Sequence, residues 1–299
     1  MTYAAIPSTR GVPTTGPAGP ELQVADLHSV HELTPRIYCG SEPETDAEFS
    51  ALAALGIRTI LSVDGSKPNA DLAEKHGFRY VHLPVGYDGI TRRRQLEIGR
   101  AVRDLPGPFY IHCHHGLHRG PTGAVVAAMT VDGWTPAQAV AALREIGTSP
   151  HYEGLYETAR DFRKPSQSEL DRADASFPRI ARSVDLVDTM VQVDQRWDHL
   201  KAAHKAGWAV PKDFPDIDPP HEALILSELF REAHRPGGAA AGRPADLLTR
   251  LAEAESQAQT LEAALRRDDR FAADAAAKSL ESSCTACHDR YRDPPLARH

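Results

Sequence analysis

From about residue 33 to residue 163 the chain alternates short apolar, β-branched runs with stretches whose apolar residues recur at helical spacing. After "KPSQS" (164–168) the strand signals stop. The strand-like runs are "RIYCG" (36–40), "IRTILSVD" (57–64), "FRYVHLPV" (78–85) and "PFYIHC" (108–113). Helical patterns cover 45–56, 70–77, 92–105, 119–133, 135–147 and 151–163, the first two closing on Gly56 and Gly77. Strands separated by helices need crossover connections, so this half predicts a mostly parallel sheet flanked by helices. The Ala-rich second half predicts four long helices, over about 177–207, 219–235, 244–266 and 268–292. "PKDFPDIDPP" and "RPGGAAAGRP" interrupt them, and helices of this length with such linkers predict a four-helix bundle. The expected organisation is a flexible N-terminal tail over 1–30, an α/β domain over 31–165 and an all-α domain over 166–299.

Composition narrows the function classes. The 299 residues suffice for two domains, and 41% hydrophobic with 25% charged residues fits a globular chain. No run approaches 18 apolar residues, so no membrane span is expected. A net charge of -7 argues against non-specific nucleic-acid binding. Residues 1–22, rich in Pro, Gly and Thr, lack the apolar core of an export signal. Four cysteines are too few and too unevenly placed for a disulfide framework, so each is read by its surroundings.

The first chemistry-bearing stretch is "IHCHHGLHRGPT" (111–122), which leaves a predicted strand and enters a predicted helix. The unpaired N–H groups of a helix start bind anions and stabilise a thiolate. Cys113 lies at the strand end and Arg119 six positions later, able to clamp a tetrahedral anion in bidentate fashion. The loop between them is His114, His115, Gly116, Leu117 and His118, with Gly116 free to turn tightly. A metal held by His114, His115 and His118 is the competing reading. A loop that wraps an anion instead points its amides inward and its side chains to the rim. "TRRR" (91–94) reads equally as an anion-attracting cluster or a solvated basic face. Cys39 reads as a buried strand residue, with an oxidative disulfide to Cys113 as the alternative.

His-Cys-(five residues)-Arg at such a junction resembles the cysteine-based protein tyrosine phosphatases. "LTPRIYCGS", "RYVHLPVGYDG" and "IHCHHGLHRGPTGA" are most similar to dual-specificity-type members, over about 33–163. The resemblance implies that Cys113 attacks phosphorus and forms a phosphocysteine. Arg119 and the amides of 114–119 would stabilise the transition state, and His112 would orient the loop and keep Cys113 ionised. Asp88, in "VGYDGI" 25 residues before Cys113, matches the family's general acid; a turn residue is its plain alternative, and Asp64 is the other candidate acid. The chain departs from the family where Gly120 follows Arg119 in place of Ser or Thr. Thr122 is the candidate substitute for that hydroxyl.

The second stretch is "SSCTACHDRYRD" (282–293). Cys284, Cys287 and His288 fall at i, i+3 and i+4, on one helix face. Cys-x-x-Cys-His is the c-type haem attachment pattern: two thiols add to the haem vinyl groups and the histidine binds iron. Zinc would need a second ligand pair, and a redox dithiol a strand–helix context. "CTACHDRYR", with Tyr291 and Arg292, is similar to the end of cytochrome c-prime and its four-helix relatives, over about 170–299. That likeness implies covalent haem c with His288 on the iron, a redox partner and a periplasmic location. It sets the sixth iron position toward the start of the first bundle helix; Met190, about two turns or more into that helix, is the candidate ligand, with core packing as its alternative, and some family members leave an open site for small gases. The whole chain reads as a phosphatase, acting on a phosphorylated protein or a small phosphate ester, joined to a haem domain that senses redox state or a diatomic gas. The alternative is a haem sensor whose phosphatase-like domain binds anions or does sulfur chemistry without turnover. No pattern fixes the oligomeric state or links the two sites.

Overall fold

The computed structural model describes residues 17–181, 186–212, 215 and 217–291. Six strands form one mixed sheet in the order β1-β2-β3-β6-β4-β5. They are β1 (Glu21–Val24), β2 (Leu27–Thr34), β3 (Ile37–Gly40), β4 (Thr59–Ser62), β5 (Arg79–His82) and β6 (Phe109–His112). β3, β6, β4 and β5 run parallel, as the alternation predicts. β3, β4 and β6 are buried along their whole length. Both sheet faces are covered by helices, which is why these strands read as continuous apolar runs.

β1 and β2 correct the expected tail of 1–30. They add two antiparallel strands at the sheet edge, with Glu21 opposite His31 and His31 opposite Cys39. Leu22, Val24, Leu27, Val30 and Leu33 supply the apolar side chains that dock them. The Pro/Gly-rich stretch before them hid that pattern. The α/β unit thus starts near residue 18, where Ala18 is buried in the core. Residues 1–16 of the expected tail lie outside the described residues.

On one sheet face, α1 (Asp46–Ala54) and α2 (Ala70–Lys75) pack Phe49, Leu52, Ala70 and Ala73 against Ile60, Tyr80 and Tyr110. On the other lie α3 (Arg92–Asp104), α4 (Arg119–Val131), α5 (Pro136–Ile146) and α6 (Glu153–Arg160), with α7 (Gln167–Arg172) against α3. α4 is the hub, buried from Arg119 to Thr130. Its small residues permit that close approach. Reciprocal side-chain caps fix several helix starts: Thr45 with Glu48, Thr135 with Gln138, and Ser166 with Glu169.

Beyond residue 185 only helices occur among the described residues: α8 (Leu186–Lys205), α9 (Pro219–His234), α10 (Ala245–Arg266) and α11 (Arg270–Tyr291). They share one apolar core. Leu247, Leu251, Ala254, Ala258 and Leu261 form the α10 stripe at spacings of three and four, meeting Leu226 and Phe230 of α9 and Leu280 of α11. The predicted first helix began at 177; Phe177 and Ile180 instead dock on the α/β unit, and 182–185 lie outside the described residues. No described helix is long and apolar enough to cross a membrane.

α9 is buried on two faces, and this ties the halves together. Ala223, Leu226, Phe230 and Ala233 face the helical core. Leu224, Glu228, Glu232 and Arg235, at spacings of four, four and three, face the α/β unit: Leu224 packs with Tyr152 and Leu155, and the other three make the ion pairs and hydrogen bonds described below.

Candidate active site

The loop from Cys113 to Arg119 joins β6 to α4, as the sequence predicts. The surrounding backbone holds it closely. Gly116 has φ +73°, and a Cβ there would lie 2.4 Å from the Gly40 carbonyl carbon and the Ser41 nitrogen. The Glu42 amide donates to the His114 carbonyl (3.0 Å), and Thr148 Oγ1 donates to the Leu117 carbonyl (2.7 Å). Gly116→Ala is expected to cost at least about 1–2 kcal/mol from the left-handed backbone alone. A lower melting temperature, read by circular dichroism, checks it; an unchanged one would dismiss the close approach.

Cys113 is 3% exposed and unpaired, and Cys39, fully buried on neighbouring β3, is likewise a free thiol. His112 is fully buried and hydrogen-bonds Tyr80 across the sheet, Nε2 to hydroxyl at 2.6 Å. Burial lowers its pKa, which favours the neutral ring. The Tyr80 hydrogen bond fixes the His112 ring beneath the start of the loop.

Arg119 is 3% exposed, and its guanidinium lies 4.3 Å over the Tyr87 ring. Its Nη2 donates to Asp64 Oδ2 (2.9 Å) and to Glu232 Oε1 of α9 (2.7 Å). Burial alone would lower the Arg119 pKa; Glu232, Tyr87 and Cys113 more than offset this and raise it. Asp64 also accepts the His114 amide (3.0 Å) and the Ser66 amide (2.8 Å), and pairs with Arg235. So ringed by donors, Asp64 is a brace beneath the loop and is not placed as the alternative acid. It also takes one of the loop amides expected to face an anion.

The three loop histidines diverge. His114 faces Glu42, Nδ1 to Oε2 at 3.6 Å, an interaction that raises its pKa. His118 sits edge-on to Tyr152, centroids 4.6 Å apart, and burial lowers its pKa to about 4. His115 is exposed, its ring 4.4 Å from that of His114. No metal cluster of these three forms among the described residues; the group close enough for one is Glu42, Glu44 and His114. The "TRRR" arginines are engaged away from the loop: Arg92 binds Glu169, and Arg93 and Arg94 pair with Glu97.

Asp88 lies on the loop after β5. Gly89 and Gly154 let that loop press on α6, since a Cβ on Gly154 would lie 2.1 Å from the Asp88 carbonyl oxygen. The Ile90 amide donates to Thr158 Oγ1 (2.8 Å). The Asp88 carboxylate pairs with Arg196 of α8 and lies 3.5 Å from His221 Nε2 of α9. Burial pushes its pKa up, but the His221 hydrogen bond and the charges of Arg196, His221 and His199 hold it below the usual value.

Gly120 has a steric reason. A Cβ there would lie 2.9 Å from the Cys113 nitrogen, so this loop has no room for the family's Ser or Thr. Thr122 does not replace that hydroxyl: it is fully buried and donates to the His118 carbonyl (2.9 Å).

At the other end of the molecule, Cys284, Cys287 and His288 occupy the last two turns of α11. Both thiols are free and half-buried, and pack with Met190 and Tyr291 against the core of the four helices. Burial raises both pKa values, that of Cys284 to about 11. Met190 stands just over one turn into α8, nearer the helix start than its predicted place. On α10, Arg250, whose charge reaches Cys287, has a buried Nε without a hydrogen-bond partner among the described residues. The free thiols, the adjacent imidazole and a guanidinium suited to a haem carboxylate fit the expected group. Arg292 of the "CHDRYR" stretch lies outside the described residues.

Residues 31–167 form a cysteine-dependent phosphatase domain. They match the family described as the Swiss Army Knife protein, DSP-PTPase phosphatase domain (PTP-SAK). Among solved structures, the chain is similar to TpbA of P. aeruginosa, at 20% identity and TM-score 0.40, covering 46% of this chain and 86% of that one. It is similar to a DUF442 protein of Shewanella putrefaciens CN-32, at 14% identity and TM-score 0.37, covering 46% and 95%. A further likeness is to PTPMT1 in complex with PI(5)P, at 16% identity and TM-score 0.36, covering 44% and 92%. No curated protein matches the chain.

Sequence reading named Cys113, Arg119 and Asp88. It missed Tyr87 under the guanidinium, the bracing role of Asp64, and Glu232, Arg196 and His221 from the helical half. Tyr87, next to Asp88, had a local signal; the other three had none.

Proposed function

We propose that the protein hydrolyses phosphate monoesters through a phosphocysteine on Cys113. Cys113 Sγ attacks phosphorus; the S–P bond forms as the P–O bond to the leaving group breaks, and Asp88 gives that oxygen a proton. Water then attacks phosphorus, the S–P bond breaks, and the water proton passes to Asp88. Arg119 and the free loop amides hold the equatorial oxygens. The observation that carries this reading is the buried Arg119 guanidinium, on the first turn of α4 beside Cys113, already binding a carboxylate at 2.7 Å. Phosphate release from an aryl phosphate, with Cys113→Ser as control, tests it. Vanadate is expected to protect Cys113 from alkylation in mildly acidic buffer. Release unaffected by Cys113→Ser, or alkylation at equal rates with and without vanadate, would remove the thiol from the mechanism.

The helical half is proposed to be a cytochrome c-prime-like bundle in which Cys284 and Cys287 would hold haem c covalently and His288 would bind its iron, with Met190 as the candidate second ligand and an open iron as the alternative. When bound, the haem supplies a redox-active iron able to take a diatomic gas. Arg250 would neutralise a haem carboxylate. A redox partner and a periplasmic location belong to the same reading. Equal phosphatase rates in the ferric, ferrous and gas-bound forms would mean the haem sends no signal to the loop.

Gly120 favours a second reading, in which the loop binds anions without fast turnover. The hydroxyl that helps the cysteine leave has no counterpart here, since Thr122 is committed to the His118 carbonyl. A burst of leaving-group release followed by slow phosphate release would identify it.

A further inference from the structure

We propose that α9 is a built-in inhibitor of the phosphatase site, with the Glu232 carboxylate occupying the place of the substrate phosphoryl group. This rests on the reading of Cys113–Arg119 as a phosphate cradle and adds the regulation of that site.

Three observations carry it. First, Glu232 Oε1 accepts from Arg119 Nη2 at 2.7 Å, and its side chain is only 18% exposed. Its other oxygen lies 3.3 Å from where a Cβ on Gly65 would stand, a point also 3.7 Å from Arg119 Nη1. Both Nη2 hydrogens of Arg119 are committed, one to Asp64 and one to Glu232, so a phosphoryl group can take that donor only where Glu232 gives it up.

Second, the neighbouring α9 residues anchor this arrangement to the loop's supports. Arg235 bridges Glu232 Oε2 (2.7 Å) and Asp64, the carboxylate beneath the His114 amide. Glu228, 2% exposed, accepts from the hydroxyl of Tyr152 (3.0 Å), whose ring packs tilted on Tyr87 and edge-on to His118. Leu224 completes the contact on Tyr152 and Leu155.

Third, the same helices also seize Asp88. Arg196 of α8 pairs with it and His221 of α9 approaches to 3.5 Å. These charges favour the carboxylate form, whereas a general acid must carry its proton. One docked surface therefore disables both the anion clamp and the proton donor.

Catalysis then requires α9 to withdraw from the loop. Glu232→Gln removes the charge and keeps the shape, while Asp64 remains to neutralise Arg119. Glu232→Ala removes the group altogether. In the full-length chain, both are expected to raise kcat/KM for p-nitrophenyl phosphate by roughly 5–150-fold, the usual range for coupling between sites. Inorganic phosphate should also protect Cys113 from iodoacetamide at correspondingly lower concentration. Circular dichroism identifies a variant that has lost its fold, and the other is then used.

The two readouts separate this proposal from the one beneath it. Tighter phosphate protection without turnover in any variant would reject the phosphatase reading and keep the inhibitor. Turnover that is unchanged or lower in both folded variants, with unchanged phosphate protection, would reject the inhibitor and keep the phosphatase.

Discussion

Asp88→Asn is expected to slow hydrolysis of aryl phosphates with poor leaving groups by about 10²–10⁴-fold, and to leave those with good leaving groups nearly untouched. The difference arises because a poor leaving group departs as a high-energy phenoxide unless a proton reaches its oxygen. Asp88, on the loop after β5, is the proposed acid, and Asp64, the other candidate, is committed to the His114 and Ser66 amides and to Arg119. A small, uniform loss across leaving groups would move the acid elsewhere. The pH profile gives an independent check. Asp88 acts only while protonated, so activity is lost as pH rises through its pKa. Although burial raises that pKa, the His221 hydrogen bond and the charges of Arg196, His221 and His199 hold it low, which confines the active form to acidic pH. Arg196→Ala removes one of those charges and should move the basic limb to higher pH, with more activity near neutrality. A limb that stays in place would detach Arg196 from the acid.

Replacing Cys284 and Cys287 together by Ala is expected to abolish covalent haem. Expressed with export and a haem-attachment system, the parent chain should keep one haem through acid–acetone extraction, because thioether bonds do not dissociate. The double variant should release it or lack it. His288→Ala should alter the iron spectrum through loss of the axial nitrogen. Met190→Leu then separates two outcomes: conversion from low spin to high spin makes Met190 the sixth ligand, whereas a spectrum already high-spin makes it a packing residue. Met190 and both thiols are half-buried residues packed against the core of the helical half. Haem retained after extraction of the double variant would refute attachment at these cysteines.

What the sequence by itself determined is what residues within about ten positions of one another decide. The strand–loop–helix junction at 109–131, the six-residue step from Cys113 to Arg119 and the clustering of Cys284, Cys287 and His288 on one helix face all follow from local periodicity. So do the parallel strands, because a strand buried on both faces is mostly apolar, and β4 and β6 are buried at every position. Even here a local cue misled at residues 21–30, where Pro and Gly nearby masked an alternating edge hairpin. The roles of Asp64, Glu232 and Arg196 were decided by the tertiary structure alone. Arg119 meets Glu232 across 113 positions and Asp88 meets Arg196 across 108. On a helix read alone, Glu228, Glu232 and Arg235 are the polar stripe that water would cover. Whether such a stripe faces water or a second domain depends on shape and charge fitting over a distant surface. That information resides in the partner's folded geometry and has no period in the chain.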